Sequence, residues 1–415
     1  MIQLFLLLTT LLFTYASIEK KSFFEIKAPK NGEIPLSVDV FGFYFLADLV
    51  QESSQAIKAQ TRALIFPSLS SSQTLLVSDK CLSFVEYDCS QYECTPYPEE
   101  KTDITHQYFE GEGYHAELPL ILDHSNWVLN NKAAIATSCS GFDFYGGNMH
   151  GVLGLGHEGN SGANFIGSQV FSIYLRQNGS EGTLLFHWNS SYAQSETPLV
   201  TLKSDENWHV NSINEITVGN GTLQVEDLEL IFDLTGVGLG LPKAVFDQVL
   251  ATLKEVYNIN CTSHSFNPVC GYSGYIKGFP SLAFKTATGE KLVLPPQAYL
   301  QDGHNETIQG PNVTLSFRAL SSELEELSYV TPSYDKTIII GSQIMRNFYI
   351  KFDAANKAIS VYDAKHFSSS SQFLNYVAIF LILAVAAVAI CLILSGSKKK
   401  MRKESHPLMV NEEEQ

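Results

Sequence analysis

Ile338-Ile339-Ile340-Gly341, followed at a short interval by Phe348-Tyr349-Ile350-Lys351-Phe352, the turn Ala354-Ala355-Asn356-Lys357, and Ala358-Ile359-Ser360-Val361-Tyr362, is the stretch whose reading decides the fold. Its second and third pieces are β-branched and aromatic runs separated by turn residues, the signature of a hairpin. Its first piece is an apolar triplet ending in Gly, which suits a buried strand whose backbone passes close under another loop. A similar run, Gly151-Val152-Leu153-Gly154-Leu155-Gly156, occurs in the first half. Working outward, most of the chain reads as short Val, Ile, Phe, Tyr and Leu strands between Gly, Asn, Ser and Pro turns, a β-rich pattern. One helix stands out. It starts at Pro242, and Val245, Phe246, Val249, Leu250, Leu253 and Val256 recur at helical spacing, so one face is expected to be buried.

The two ends carry different signals. Residues 1–17 hold the apolar run Ile2 to Phe13 and close on Ala16-Ser17, as a secretory signal does. Residues 373–394, Phe373 to Leu394, are free of charge and long enough to cross a bilayer as a helix. Lys398, Lys399, Lys400, Arg402 and Lys403 follow, which marks residues 395–415 as a cytoplasmic tail and predicts a single-pass type I membrane protein. Residues 367–372 form a Ser-rich linker. The net charge is −16, and the last 20 residues hold five cations against four glutamates, so the rest carries −17 and nucleic-acid binding is excluded as an expectation. Six cysteines, Cys81, Cys89, Cys94, Cys139, Cys261 and Cys270, precede the span and Cys391 lies within it, an even count that fits an oxidising compartment. Six sequons begin at Asn178, Asn189, Asn220, Asn260, Asn305 and Asn312, a density in keeping with a glycosylated lumenal or extracellular face.

In order along the chain, these pieces resemble the pepsin-like aspartic proteases. Ile34-Pro35-Leu36 resembles the opening of the mature enzyme, and Gly151 to Gly156 its first-lobe strand. Phe171 to Leu175 with Gly182 to Phe186 resembles the strands closing that lobe, and Trp208 with Ile213 the start of the second. Leu230-Ile231-Phe232-Asp233 leading to Leu241-Pro242 resembles the second catalytic loop, Phe279 to Phe284 the strand after that lobe's disulfide, and Ile338 to Asp363 the last strands. The resemblance implies a mostly β, bilobal fold with lobes at 34–192 and 193–366, a short propeptide-like segment at 18–33, and a Cys261–Cys270 disulfide. It leaves the pairing of Cys81, Cys89, Cys94 and Cys139 open.

Hydrolysis in that family needs two carboxylates that share one proton and hold a water. Each sits in an Asp-Thr/Ser-Gly loop. Where the family shows Phe-Asp-Thr-Gly-Ser-Ser, this chain shows Phe66-Pro67-Ser68-Leu69-Ser70-Ser71, so the first carboxylate and its glycine are absent and Pro67 takes the aspartate position. The second loop keeps Asp233 but continues Leu234-Thr235-Gly236; either Thr235 replaces the glycine, or Leu234 is inserted and Thr235-Gly236 is the rest of the motif. Tyr108 is the candidate for the tyrosine of the flap that covers substrate.

No metal or cofactor is expected, since the 11 histidines form no HExxH pair and no nucleotide loop is complete. In the tail, Glu404 with Leu408-Met409 resembles an acidic dileucine sorting signal, which prefers endosomal, lysosomal or vacuolar membranes over the cell surface. With Pro67 at the first aspartate position, the expected function is that of a pseudoprotease whose cleft binds extended polypeptide without cleaving it; the alternatives are an active aspartic endopeptidase of acidic compartments and a surface or sorting glycoprotein with an idle cleft. Leu69 or Leu234 filling the cleft would favour the third.

Overall fold

A computed structural model describes residues 33–38, 44–50, 63–69, 74–77, 95–96, 102–106, 109–122, 128–136, 151–156, 169–179, 181–205, 207–234, 238–262, 264–301, 311–320 and 335–365. All of them belong to the first of two compact units, which ends at Lys365. Strands dominate, as the alternating apolar runs and turn residues predict. Among the described residues no helix is long and apolar enough to cross a membrane, and the segment 373–394 lies outside them.

The larger sheet has 14 strands and draws on both halves of the chain. Its seam is the antiparallel pair Val170–Leu175 and Phe348–Asp353, in register from Val170 opposite Asp353 to Tyr174 opposite Tyr349. On one side of the seam the sheet continues through Ala358–Asp363 to Val200–Lys203. On the other it runs through Glu181–Leu185, Glu33–Val38, Tyr44–Val50, Ala63–Ser68 and Gly151–Gly154. The hairpin expected from the sequence is present, with Phe348 opposite Asp363 and Asp353 opposite Ala358.

A second sheet of seven strands is built around Gly221–Asp233, flanked by Val210–Val218 on one side and Thr337–Gly341 on the other. The turn between Val218 and Gly221 is two residues long, and Gly219 holds φ +56° with its missing Cβ replaced by the Tyr257 ring. Any side chain there would strike that ring.

The helix Lys243–Tyr257 lies on this second sheet, with Pro242 as its cap and Val245, Phe246, Val249, Thr252 and Leu253 buried. Leu250 is half buried. Val256, which the periodicity assigns to the buried face, is instead 51 % exposed. It lies over Gly221, at the sheet's end, where no side chain rises to cover it. Asn258 then stops the helix in the left-handed conformation, its N–H donating to the Leu253 and Lys254 carbonyls.

One hydrophobic core joins the two sheets. It runs from Ile34 and Leu36 through Phe171 and Trp208 to Phe232, Ile340 and Phe352. At its centre Phe171 stacks on Phe352 with ring centroids 4.6 Å apart, and Trp208 meets both rings edge-on.

Candidate active site

Two parallel strand pairs carry the residues that the sequence singles out. In the first half, Ala63–Ser68 runs parallel to Gly151–Gly154, with Pro67 opposite Leu153 and Ser68 opposite Gly154. In the second, Gly221–Asp233 runs parallel to Thr337–Gly341, with Phe232 opposite Ile340 and Asp233 opposite Gly341. The apolar-apolar-Gly runs therefore play the same part in both halves, each being the neighbour of a strand that ends at the site. Matched on Gly154 and Gly341, the counterpart of Asp233 is Ser68, one residue beyond Pro67. Neither residue has a carboxyl group.

Local bonds fix both strand ends. Leu155 N–H donates to the Ser68 carbonyl at 2.8 Å, and Gly154 N–H reaches the Thr74 hydroxyl at 3.3 Å. In the second half Gly341 N–H donates to the Gly238 carbonyl at 2.9 Å, and Leu239 N–H to the Ser316 carbonyl at 2.7 Å. Gly238 allows this crossing, since a Cβ there would lie 2.2 Å from the Ser316 oxygen. No side chain fits that gap.

Asp233 is buried, 6 % exposed, at the end of its strand. Beside it Leu234 is 1 % exposed, and in the first half Leu69 is 3 % exposed; both belong to the main core. Each loop thus hands an apolar side chain to the interior: Leu234 where the family pattern has Thr or Ser, and Leu69 where the alignment on Pro67 has Gly. Pro67 and Ser68 are also buried. Ser70, Thr235 and Gly236 lie outside the described residues.

The chemistry follows from this inventory. A dyad works because one carboxylate accepts a proton from water while its partner, still protonated, polarises the carbonyl. A serine hydroxyl can donate and accept hydrogen bonds but does not ionise at acidic or neutral pH, so it cannot stand in for a carboxylate. Asp233 offers one carboxylate for such a pair, and neither Pro67 nor Ser68 carries a second.

The other predicted positions fall as follows. Thr102–His106 pairs with Phe109–Leu122, His106 opposite Phe109, and Tyr108 lies outside the described residues. Cys261 and Cys270 are bonded, with Cα atoms 3.9 Å apart. Asn178, Asn220, Asn260 and Asn312 are exposed, and Asn305 lies outside the described residues. Asn189 is half buried and engaged: its Nδ2 donates to Glu33 Oε1 at 2.8 Å while its Oδ1 accepts from Ser191 N–H at 3.0 Å. Glu33 also accepts from the Tyr192 hydroxyl at 3.0 Å. Burial, then the Glu33 charge and hydrogen bond, push the Tyr192 hydroxyl up to about 12. The tail residues Glu404, Leu408 and Met409 are outside the described residues.

A comparison with curated proteins finds no match. A family model for eukaryotic aspartyl proteases matches residues 124–364 and so begins beyond the Pro67 loop. That match spans more than half of the chain and takes in Asp233, the Gly151 to Gly156 run and the closing hairpin: the chain belongs to the eukaryotic aspartyl protease family.

Proposed function

We propose that this chain is a membrane-anchored, glycosylated pseudoprotease that binds extended polypeptide and does not hydrolyse it. The observation that carries the reading is the register: Asp233 stands opposite Gly341, while Pro67 and Ser68 stand opposite Leu153 and Gly154 with no acid between them. A lone carboxylate cannot both activate water and leave a proton for the scissile carbonyl. Binding needs neither step, since a strand-like peptide is held mainly by main-chain hydrogen bonds and side-chain pockets. The apolar run 373–394 and the basic residues after it support a type I anchor, and Glu404 with Leu408-Met409 supports delivery to an endosomal, lysosomal or vacuolar membrane.

A second reading, a sorting or surface glycoprotein whose cleft is idle, draws on the burial of Leu69 and Leu234. Apolar side chains buried at both loops would leave less room there for the water that catalysis requires. The two readings agree that peptide bonds stay intact and differ on whether peptide binds.

The full chain, incubated with an unstructured protein at acidic pH, should give no cleavage that a transition-state inhibitor of aspartic proteases suppresses. Inhibitor-sensitive cleavage abolished by Asp233→Ala would overturn the proposal. Saturable binding of an extended peptide separates the first reading from the second.

A further inference from the structure

Asp205 and His209, from the loop between Val200–Lys203 and Val210–Val218, come together half-buried with Glu229 of Gly221–Asp233, and the proposed peptide-binding function uses none of them. Their ligand atoms all lie within 4.8 Å of one another. We propose that these three side chains form a binding site for one divalent transition-metal ion of the zinc class.

The first argument is geometric. His209 Nδ1 lies 2.6 Å from Glu229 Oε1 and 3.7 Å from Asp205 Oδ2. The shorter contact is a hydrogen bond; the longer one is too long to be. Ligand atoms sharing a zinc ion at about 2.0–2.2 Å stand roughly 3–3.6 Å apart. Asp205 is therefore already near ligand spacing, and Glu229 needs to withdraw by less than about 1 Å. With its side chain 30 % exposed, Glu229 has room to do so.

Preorganisation is the second argument. Asp205 Oδ1 accepts the N–H groups of Asn207 at 2.8 Å and His209 at 2.9 Å, so the carboxylate is held and Oδ2 is the oxygen left toward the imidazole. The loop is closed by Asp205 N–H to the His209 carbonyl at 2.9 Å. Between them Trp208 takes φ +59°, a left-handed conformation that is costly for so bulky a residue. Its ring is 1 % exposed and its Nε1 donates to the Leu155 carbonyl at 2.8 Å, which fixes the loop against the core. Glu229 is placed independently, on the strand that ends in Asp233, where its N–H donates to the Lys336 carbonyl at 2.8 Å.

Chemistry selects the ion. One imidazole nitrogen with two carboxylate oxygens suits zinc-class metals, whereas calcium and magnesium demand oxygen donors throughout. Side-chain exposures of 23 %, 39 % and 30 % leave an open face where water completes the coordination. On coordination, the proton that Nδ1 shares with Glu229 leaves to solvent. Burial alone would lower the His209 pKa, but the Glu229 hydrogen bond and the charges of Glu229 and Asp205 raise it, which reports a locally negative field. A divalent cation meets that field.

The test uses the full chain after chelator treatment, titrated with Zn²⁺ by calorimetry at neutral to slightly alkaline pH. The expected result is one equivalent with a dissociation constant on the order of micromolar, and a loss of affinity of at least about tenfold in His209→Gln and in Glu229→Gln. Both substitutions keep side-chain volume and leave the Asp205 turn intact. Other histidines among the 11 would bind equally in wild type and variants, so superimposable isotherms overturn the site. A measurement on wild type alone guards against a misfolded variant: Zn²⁺ should protect His209 from carboethoxylation, read by mass spectrometry. Unchanged modification at His209 across the titration overturns the proposal, and in that case the cluster is an ion-paired clamp. Neither readout depends on whether the cleft binds peptide.

Discussion

Asp353 shows how one side chain can hold a turn that the sequence marks only by composition. It closes the strand Phe348–Asp353, where its Oδ2 accepts from Lys351 Nζ at 3.0 Å and its Oδ1 accepts from the Asn356 N–H and Nδ2, both at 3.1 Å. Burial by itself would raise its pKa, but the Lys351 and Asn356 bonds outweigh burial and hold the carboxyl below its usual range. Because the folded-state value is the lower one, the carboxylate contributes stability above the unfolded pKa of about 3.9 and loses it as pH falls through the folded value. Asp353→Asn should therefore cost about 1–2 kcal/mol at neutral pH, with the gap to wild type closing below about pH 4. Denaturant titrations of both proteins at several pH values check this, and a gap that does not change with pH would remove the carboxylate as its source. The degenerate loop is harder to read at this scale. The sequence shows that no acid lies near Pro67, but whether Pro67 or Ser68 stands opposite the glycine depends on a parallel partner, Gly151–Gly154, far along the chain.

Elements whose contacts are local were the most legible ones. The closing hairpin and the helix Lys243–Tyr257 follow from short-range periodicity and turn chemistry, and both occur where the sequence puts them. Legibility ended where an element meets something distant. Val256 has the right spacing for burial yet faces Gly221, and Val210–Val218 contains a register shift at Ser212, φ +63°, that no periodicity announces. Asp205, His209 and Glu229 were missed for the same reason: the i, i+4 spacing of the first two is unremarked in sequence, and the third arrives from a neighbouring strand. The helix end offers a clean test. Asn258 holds φ +54°, which Asn tolerates and Ala resists. Asn258→Ala should lose about 1 kcal/mol, while Asn258→Gly should be neutral or slightly stabilising because glycine carries no penalty there. Equal losses in the two variants, measured by chemical denaturation, would show that the side chain matters rather than the backbone.

At the scale of the molecule, the question is whether the two halves stand alone. The 14-stranded sheet argues that they do not, since Val170–Leu175 from the first half is bonded residue by residue to Phe348–Asp353 from the second. The side chains repeat the point. Phe171 stacks on Phe352 and meets Trp208, whose indole N–H reaches Leu155, whose own N–H reaches Ser68. A cut at this seam would expose large apolar surface on both sides, so opening one half alone is penalised and the unit should unfold as one. Phe171→Ala tests this at a residue distant in sequence from both site strands. Removing a ring that is 1 % exposed should cost about 3–5 kcal/mol. If the halves are coupled, hydrogen-exchange protection should fall by the same free energy in Gly151–Gly154 and in Thr337–Gly341, although only the first strand belongs to the half that carries Phe171. Protection that drops in Gly151–Gly154 and holds in Thr337–Gly341 would mean that the seam joins two independent folding units, and that the degenerate first loop could change without a penalty at Asp233.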